Sequence, residues 1–437
     1  MAGETFKPFQ YGKEILKMFK IITPMDAGFI YIYKNNEGYY DYKLSEQILK
    51  GILNQKIPNP TKYKVNETIE WIRRKTYTNP STIKSEEYVC LKNGLFNLNT
   101  LELEPHTPTK FVTYKIPVYY DSNIDTTEWN NFVVSIVESG SGDEKVLQEA
   151  VGNIFAPHYL TKKAIYLYGP NDSGKSTFLN IIMYLLGGRE NVSNLSLVQL
   201  EEKFTNARIF GKRANICSDT PYLTNPRHYQ TFKNFTGGDT VTLQHKHRDP
   251  FEYLNVAKFF FSANEIPKVK AKYMDTGFLR RWQFVECPHI FSPDDSIFTT
   301  YTTDKMLSAI FNWAVEGYKR LKEQNWIHTN DNTVEDVKRI FVHSGLEESD
   351  FIKWLMQRCE KYDGWTAKDE LYYDCVQWFG NNHKVPPTTT TYFGRLIMEQ
   401  DIIPIKDHHP MVDGQQTNAY YGIRLIDNTI GDEDYAI

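Results

Sequence analysis

Cysteines, long apolar runs and a strong net charge are all scarce or missing in this chain of 437 residues. Its five cysteines are odd in number and scattered, with no C-x-x-C pair and no histidine at ligand spacing, so we expect reduced core residues and no structural zinc. They are Cys90, Cys217, Cys287, Cys359 and Cys375. No apolar stretch reaches the roughly eighteen residues of a membrane span, and no charged-then-apolar leader opens the sequence. These absences predict a protein without membrane association and with a cytoplasmic location.

The net charge of −4 is not that of a protein coated with nucleic acid. Any contact with a polyanion must therefore come from a local basic patch, which we expect inside a channel rather than on the outer surface. Apolar residues at 41% and aromatic residues at 14% indicate a globular chain. The first 120 residues lack the paired carboxylates of a polymerase or primase metal site, which favours an accessory or oligomerisation domain.

One stretch carries a specific chemical pattern. An apolar strand at 164–168 leads into Gly169-Pro170-Asn171-Asp172-Ser173-Gly174-Lys175-Ser176-Thr177, which fits G-x-x-x-x-G-K-[ST] and continues into a helix. A loop that wraps a phosphate presents successive backbone N–H groups inward, which glycine permits, and a helix N-terminus adds partial positive charge. Lys175 then reaches the β- and γ-phosphates while the Ser176 hydroxyl binds Mg²⁺. Residues 169–177 are therefore predicted to bind ATP and Mg²⁺; the alternative is an accidental glycine turn.

Two polar residues end later apolar strands. Asp219 ends a strand predicted at 213–219, where a second Mg²⁺-ordering carboxylate is expected, although a turn or helix cap is the plain alternative. Asn264 closes the strongly apolar strand at 256–263, where an amide can orient an attacking water or sense the γ-phosphate; a capping asparagine is the alternative. Alternating strands and helices after a phosphate loop predict an α/β fold with a parallel sheet and flanking helices.

The segment at 235–249 has two stretches of alternating hydrophobicity around the basic or titratable tip His245-Lys246-His247-Arg248. This predicts a hairpin that grasps phosphates, or else a solvated turn. Arg280 and Arg281 stand just before a further strand at 282–285. Such a pair can complete a neighbour's active site, bind DNA, or pair with acids of its own subunit.

Periodicity predicts the remaining elements. Upstream we expect helices at 13–19, 44–53 and 66–74, a strand at 29–33, a strand–turn–strand at 89–98 and a helical pair within 129–155. After about residue 330 we expect helices at 334–342, 346–362, 366–379 and 390–400, the third with a capping box of Thr366 and Asp369, then strands at 402–405 and 420–425. Helices followed by a β-hairpin are typical of a winged helix-turn-helix.

Taken in order, GPNDSGKST, FGKRANICSD, FKNFTGGDTVTLQHKHR, KFFFSAN and FLRRWQF resemble the superfamily 3 helicases, in particular the primase-helicases of poxviruses, large DNA viruses, phages and plasmids. The resemblance extends upstream through LKNGLFNLNTLELEPHTP and downstream to the winged-helix-like segment. It implies a P-loop, AAA+-like domain at 121–330 between an α+β N-terminal domain at 1–120 and a winged helix at 331–437.

The same resemblance implies residue roles. Lys175, Ser176 and Asp219 would hold Mg–ATP, and Asn264 would be the sensor. Lys246 and His247 match a Lys-His pair at the tip of a DNA-tracking hairpin, and one of Arg280 and Arg281 would be an arginine finger. The Ser-Asp strand end departs from the Glu or paired acids of many relatives, so whether Asp219 is metal ligand, base or both stays open.

The resulting expectation is a ring-shaped, hexameric, ATP-driven DNA helicase of 3′→5′ polarity, working where a virus or plasmid replicates. Its partners would be single-stranded and forked DNA, further copies of itself, and a primase or primase-polymerase; no primase domain precedes the helicase part. An RNA-directed translocase and an origin-binding initiator or loader of the same fold remain alternatives. A small-molecule P-loop kinase is disfavoured, because it would leave the C-terminal segment unexplained.

Overall fold

The structure is a computed structural model that describes residues 6–25, 28–79, 82–83, 85–218, 226–246, 248–267, 269, 274–346, 350–400, 403–412 and 414–426. Its contacts divide the chain into two compact units, Met1–Lys338 and Arg339–Ile437. Among these residues, no helix combines the length and the apolar character that crossing a membrane requires.

The first unit begins with three helices and a four-stranded sheet. In chain order these are α1 (Pro8–Met18), β1 (Ile21–Pro24), β2 (Tyr31–Lys34), β3 (Tyr39–Asp41), α2 (Ser45–Lys56), α3 (Lys62–Lys75) and β4 (Tyr77–Thr78). The strand order is β3-β2-β1-β4, in which β1 and β4 run parallel. Apolar residues at helical spacing on α2 and α3, such as Leu49, Leu53, Ile69 and Ile72, are fully or nearly fully buried in one core. The three predicted helices are confirmed, with longer bounds.

An antiparallel meander follows, formed by β5 (Tyr88–Cys90), β6 (Leu95–Asn97) and β7 (Leu103–Glu104). It confirms the strand–turn–strand predicted at 89–98. Its residues Val89, Leu95 and Phe96 are fully buried in the same core as the parallel sheet further along the chain. The meander is therefore packed as part of that larger body.

A parallel sheet with flanking helices forms the centre of the first unit, as the sequence predicts. Its elements are α4 (Thr127–Ile136), α5 (Asp143–Asn153), β8 (Ala164–Tyr168), α6 (Lys175–Leu185), β9 (Val192–Ser193), β10 (Ala214–Ser218), α7 (Pro226–Gly237), β11 (Thr240–Leu243), β12 (Phe251–Leu254), β13 (Lys258–Ala263), α8 (Thr276–Leu279), β14 (Trp282–Glu286), α9 (Ser296–Tyr301) and α10 (Asp304–Glu323). The order is β14-β8-β13-β10-β9, and every pair is parallel. Successive residues Phe259, Phe260 and Phe261 are all fully buried, because helices cover both faces.

A buried carboxylate joins α5 to the segment after α10. Glu149 is fully buried and accepts hydrogen bonds from Arg320 Nε at 2.7 Å and Thr329 N at 2.9 Å, while His328 Nδ1 lies 3.2 Å away. Burial raises the pKa of Glu149, but the bonds from His328, Thr329 and Arg320 outweigh it and hold the pKa below its ordinary value. Glu149 is therefore an ionised structural residue.

The second unit is a small mixed module. The remaining elements are α11 (Val334–Leu346), α12 (Asp350–Arg358), β15 (Cys359–Ala367), α13 (Lys368–Asn381), α14 (Thr390–Glu399), β16 (Lys406–His408), β17 (Met411–Val412), β18 (Gln415–Gln416) and β19 (Ala419–Leu425). Strands β15, β19 and β16 form an antiparallel sheet in that order, and β17 pairs with β18. Trp354, Leu371, Phe393 and Ile423 are buried together between helices and sheet.

Three local predictions in this unit are wrong. The helix expected at 346–362 ends at Arg358, because residues 359–367 pair with β19 as a strand. The expected capping box fails because Thr366 donates its hydroxyl to Ile423 O across the sheet at 2.7 Å, and α13 has no side-chain cap. The strand expected at 402–405 begins instead at Lys406, where it meets β19.

Candidate active site

The loop between β8 and α6 requires glycine at two positions. Gly169 and Gly174 have φ angles of 145° and 81°, which L side chains rarely adopt. A Cβ on Gly169 would lie 2.1 Å from Cys287 O, and one on Gly174 would lie 2.6 Å from Ile136 Cγ2. The loop is therefore wedged between the segment after β14 and the end of α4, with its N–H groups at the N-terminus of an eleven-residue helix.

Lys175 folds back into this loop. Its Nζ donates to Gly169 O at 2.8 Å, Pro170 O at 2.6 Å and Ser173 Oγ at 2.8 Å. Burial lowers the pKa of the ammonium below its ordinary value. Three oxygens thus surround a buried cation at the start of a helix, and the lysine would have to exchange these bonds for phosphate oxygens in order to hold a phosphate. This arrangement fits the phosphate groups that the sequence pattern predicts.

The other loop residues differ in how far they are exposed to solvent. Asn171, Asp172 and Ser176 are exposed, Thr177 is partly exposed, and Ser173 is buried. Asp172 O accepts a hydrogen bond from Phe291 N at 2.9 Å, so the chain after β14 crosses the loop and holds it. The exposed Ser176 hydroxyl, in the first turn of α6, is free to meet a metal ion from solvent.

Strand β13, next to β8, brings one further predicted residue to the same end of the sheet. Asn264 directly follows β13, and its Nδ2 donates to Asn171 Oδ1 of the loop at 2.8 Å. At the end of β10, Ser218 lies beside Ser262, since the two strands are parallel and in register. The next residue, Asp219, lies outside the described residues. In the part of the chain that is described, no three His, Cys, Asp or Glu side chains gather as a candidate metal site.

Arg280 and Arg281 have different surroundings. Arg281 is 6% exposed, and its guanidinium donates to Lys233 O at 3.1 Å and to Gly277 O. Burial and the neighbouring Arg280 lower its pKa. Arg280 is exposed at the end of α8. Arg281 is therefore used within its own chain, whereas Arg280 is available to another molecule.

The predicted hairpin is present as β11 and β12, which pair from Thr240↔Leu254 to Leu243↔Phe251. Lys246 is exposed at the tip, and His247 lies outside the described residues. His245 turns inward, with its ring 5.5 Å from that of Phe29, centre to centre. Burial, and then the charge of Arg248, lower the pKa of His245, so its ring is neutral at pH 7.

Arg248 anchors the other side of the tip. Its guanidinium lies over the Phe29 ring at 4.7 Å, and its Nη2 lies 3.8 Å from Glu46 Oε2 of α2. The hairpin is therefore braced against the N-terminal elements. Of the three described tip residues, His245 and Arg248 contact the N-terminal elements, whereas Lys246 is exposed and no such contact is seen for it.

The structure thus brings the phosphate loop and Asn264 together, and places the arginine pair and the hairpin elsewhere. Sequence reasoning missed Cys287 and Phe291, which position the loop through backbone atoms and so leave no side-chain signal. Burial raises the pKa of the Cys287 thiol to about 12, so it is a neutral packing group.

Two family models match parts of the chain. The family "D5 N terminal like" matches residues 9–138, and a family of unknown function, DUF5906, matches residues 167–281. No curated protein sequence gives a significant match.

Solved structures share the fold over nearly the whole chain. The apo structure of the NrS-1 C-terminal region (305-718) is 14% identical with a TM-score of 0.55, and the match covers 96% of this chain and 100% of that one. The A form apo structure of the same region is 15% identical with a TM-score of 0.52, at 96% and 100% coverage. At such identities the likeness concerns the fold alone.

Proposed function

We propose that this protein is a ring-forming, ATP-driven DNA helicase of the superfamily 3 type that acts in viral or plasmid replication. One observation carries the proposal: the phosphate loop and Asn264 meet at the carboxyl edge of a parallel sheet, joined by the hydrogen bond from Asn264 Nδ2 to Asn171 Oδ1. Ligands of open α/β sheets bind at this edge.

The strand order supports an AAA+-like nucleotide domain. Numbered within the sheet from β8 as the first strand, the order β14-β8-β13-β10-β9 reads 5-1-4-3-2, so the strand that carries Asn264 is inserted between the first and third strands. Its neighbour β10 ends at Ser218, immediately before Asp219. In this proposal the loop, the Asp219 carboxylate and the Asn264 amide, which follow three adjacent strands, would serve one nucleotide.

Each of these residues would have its own role in phosphoryl transfer. The Lys175 ammonium stabilises charge on the β- and γ-phosphates, and Ser176 with Asp219 would hold Mg²⁺, which neutralises the phosphate oxygens when bound. Asn264 orients the attacking water. The loop amides and the N-terminus of α6 hold the phosphate tail in place.

A ring is proposed because, among the residues that the structure describes, neither arginine of the predicted pair contacts the loop at 169–177 of its own chain. Arg280 is exposed at the opposite edge of the sheet from Lys175, so we assign it as the finger that enters the site of the next subunit in a hexamer. Arg281 holds α7 and α8 instead, through its bonds to Lys233 O and Gly277 O.

The hairpin and the second unit supply the DNA contacts. Lys246 and His247 would track one strand as hydrolysis proceeds around the ring. Three helices, a three-stranded sheet and the β17–β18 hairpin have the order of a winged helix, in which α14 would dock a duplex through Thr390, Thr391 and Arg395. Forked DNA, and a separate primase or primase-polymerase, would complete the assembly.

The test is strand displacement on a forked duplex with the full-length chain, ATP and Mg²⁺. We expect unwinding by the wild type and none by Lys175→Ala, whose ATP hydrolysis should fall by at least about a hundredfold. Lys62→Ala, which removes an exposed lysine of α3, is the matched control and should unwind normally. ATP hydrolysis without displacement on DNA would favour an initiator or loader, and displacement of RNA alone would favour an RNA-directed enzyme.

A further inference from the structure

The sheet of the second unit has one covered and one open face. Thr366 and Tyr420, which pair across β15 and β19, are buried towards the helices. Their neighbours Trp365 and Tyr421, also paired, point the other way, because successive residues of a strand alternate between faces. Trp365 is 39% exposed and Tyr421 is 38% exposed. Two large rings therefore stand side by side on the open face.

A lysine extends this row across the third strand. Lys406 of β16 is the register partner of Tyr421, and it is exposed. Trp365, Tyr421 and Lys406 thus lie abreast on three neighbouring strands, across roughly 10 Å. His408 lies close by, with its ring edge-on to Tyr421 at 5.9 Å between centres.

A second aromatic residue with a cation lies further along the same strands. The register between β15 and β19 shifts between Lys361 and Trp365, and Tyr362 within this bulge is 38% exposed. Its ring lies against Gly364, where a Cβ would be 2.3 Å from Tyr362 Cε1. The Arg424 guanidinium lies over the Tyr362 ring at 4.9 Å. The bulge therefore turns a third ring outward beside a positive charge.

Two carboxylates lie among these groups. Glu360 accepts from Arg424 Nε at 2.7 Å, and Asp363 accepts from the Tyr421 hydroxyl. Arg424 and Lys406 equal these two carboxylates in number, and Lys406 is exposed. Lys361 pairs with the buried Ile423 and so belongs to the covered face of the sheet. Exposed rings with adjacent cations are what unpaired bases and their phosphates require, whereas the stacked bases of a duplex present no open faces.

We propose that this open face, the Trp365–Tyr421–Tyr362 platform, binds single-stranded nucleic acid by stacking bases on its rings and contacting phosphates with Lys406 and Arg424. It is a second contact for the displaced or tracked strand, separate from the hairpin and from α14. It does not depend on ATP hydrolysis, so it is measured without nucleotide.

The test uses the full-length chain and fluorescence anisotropy with labelled oligo-dT, oligo-rU and a duplex of equal length. For Trp365→Ala/Tyr421→Ala we expect the affinity for single strands to fall at least about fivefold per ring, with the duplex affinity unchanged. The slope of log K against log salt should stay the same, because stacking releases no counterions. Lys406→Ala should instead make that slope shallower by about 0.7. A loss confined to one polymer supports the platform and identifies its ligand.

Two controls keep the result specific. Tyr373→Ala removes a 67% exposed tyrosine of α13 in the same unit and should leave binding unchanged. Trp365→Phe/Tyr421→Phe keeps the rings and should retain most of the affinity. Unchanged single-strand affinity in the folded double alanine variant, checked by circular dichroism and thermal melting, would overturn the proposal. If that variant also loses self-association, the face is an interface between copies of the chain.

Discussion

Arg280 and Lys175 lie at opposite ends of the strands of one parallel sheet: Arg280 at the amino ends and Lys175 at the carboxyl ends. Arg280 precedes β14, whose first residue Trp282 is the register partner of Ala164, the first residue of β8. Lys175 follows the far end of β8, and a strand of five residues spans about 15 Å. An arginine side chain does not bridge that distance. Any role of Arg280 at the phosphates therefore requires a second copy of the chain.

This geometry predicts complementation between two inactive proteins. Lys175→Ala and Arg280→Ala should each lose ATP hydrolysis, the latter by roughly a thousandfold or more if Arg280 is the finger. When the two are mixed under subunit exchange, roughly a quarter of the interfaces in a head-to-tail ring combine an intact Lys175 with an intact Arg280. Hydrolysis should then return, and a coupled ATPase assay measures it.

Arg281→Ala is the matched control for this experiment. Because Arg281 bonds to Lys233 O and Gly277 O inside its own chain, its loss should lower the thermal midpoint, which the Arg280→Ala change should leave near that of the wild type. Absence of recovered activity, with exchange verified by labelled subunits, would contradict a finger acting between copies.

The exposed hairpin lysine should contribute to strand binding in proportion to its charge. Lys246→Ala removes one phosphate contact, so the slope of log K against log salt for single-stranded DNA should become shallower by about 0.7. Basal ATP hydrolysis should persist while its stimulation by DNA falls. Lys62→Ala serves as the control. If Lys246→Ala keeps the salt dependence and the DNA stimulation of the wild type, the hairpin tip is only a solvated turn.

The glycine that approaches Cys287 should be indispensable for nucleotide binding. In Gly169→Ala the new Cβ would meet Cys287 O at 2.1 Å, so the loop must move and the affinity for a fluorescent ATP analogue should fall at least about tenfold. Gly188→Ala is a close control, since Gly188 also has a positive φ, of 64°, but a Cβ there meets nothing within 4 Å. Equal affinities of the two variants would mean that the contact with Cys287 does not shape the site.

Loss of the buried carboxylate should destabilise the first unit in a pH-dependent way. Glu149→Gln weakens the bonds from Arg320 and Thr329, so the free energy of unfolding at pH 7 should fall by about 2 kcal/mol. Since the folded pKa of Glu149 lies below its ordinary value of about 4.3, the contribution is complete above that pH and disappears as the pH falls through the folded pKa. Urea unfolding at pH 7 and near pH 3 measures both effects. Glu144→Gln, on the same helix, should show neither.

Features that are encoded by neighbouring residues could be predicted from the sequence. The loop at 169–177 between a strand and a helix could be predicted residue by residue, because its glycines, Lys175 and Ser176 stand at a fixed spacing within one short segment. Its binding of phosphate stays a prediction. The strand at 164–168 matches β8, since a buried parallel strand is a continuous apolar run. The expected roles of Asp219, His247 and the domain boundaries stay predictions.

Where the secondary structure or the exposure of a residue depended on segments far away in the chain, it could not be predicted from the sequence. Residues 359–362 were predicted as helix because their periodicity continues that of α12, yet pairing with β19, some sixty residues later, makes them a strand. His245 and Lys246 are neighbours in one basic tip, but contact with Phe29 turns the first inward and leaves the second exposed.

The sequence by itself determined which groups are present: a glycine-bounded loop with Lys175 and Ser176, an amide and a carboxylate after apolar strands, and a basic hairpin tip. Only the tertiary structure decided which of them lie together. Arg280 and Arg281 are adjacent and chemically identical. They differ only because Arg281 packs against α7 and α8 and is buried, whereas Arg280 is exposed. The physical reason is that residue type and spacing encode what a group can do, whereas burial and orientation arise from contacts between segments far apart in the chain.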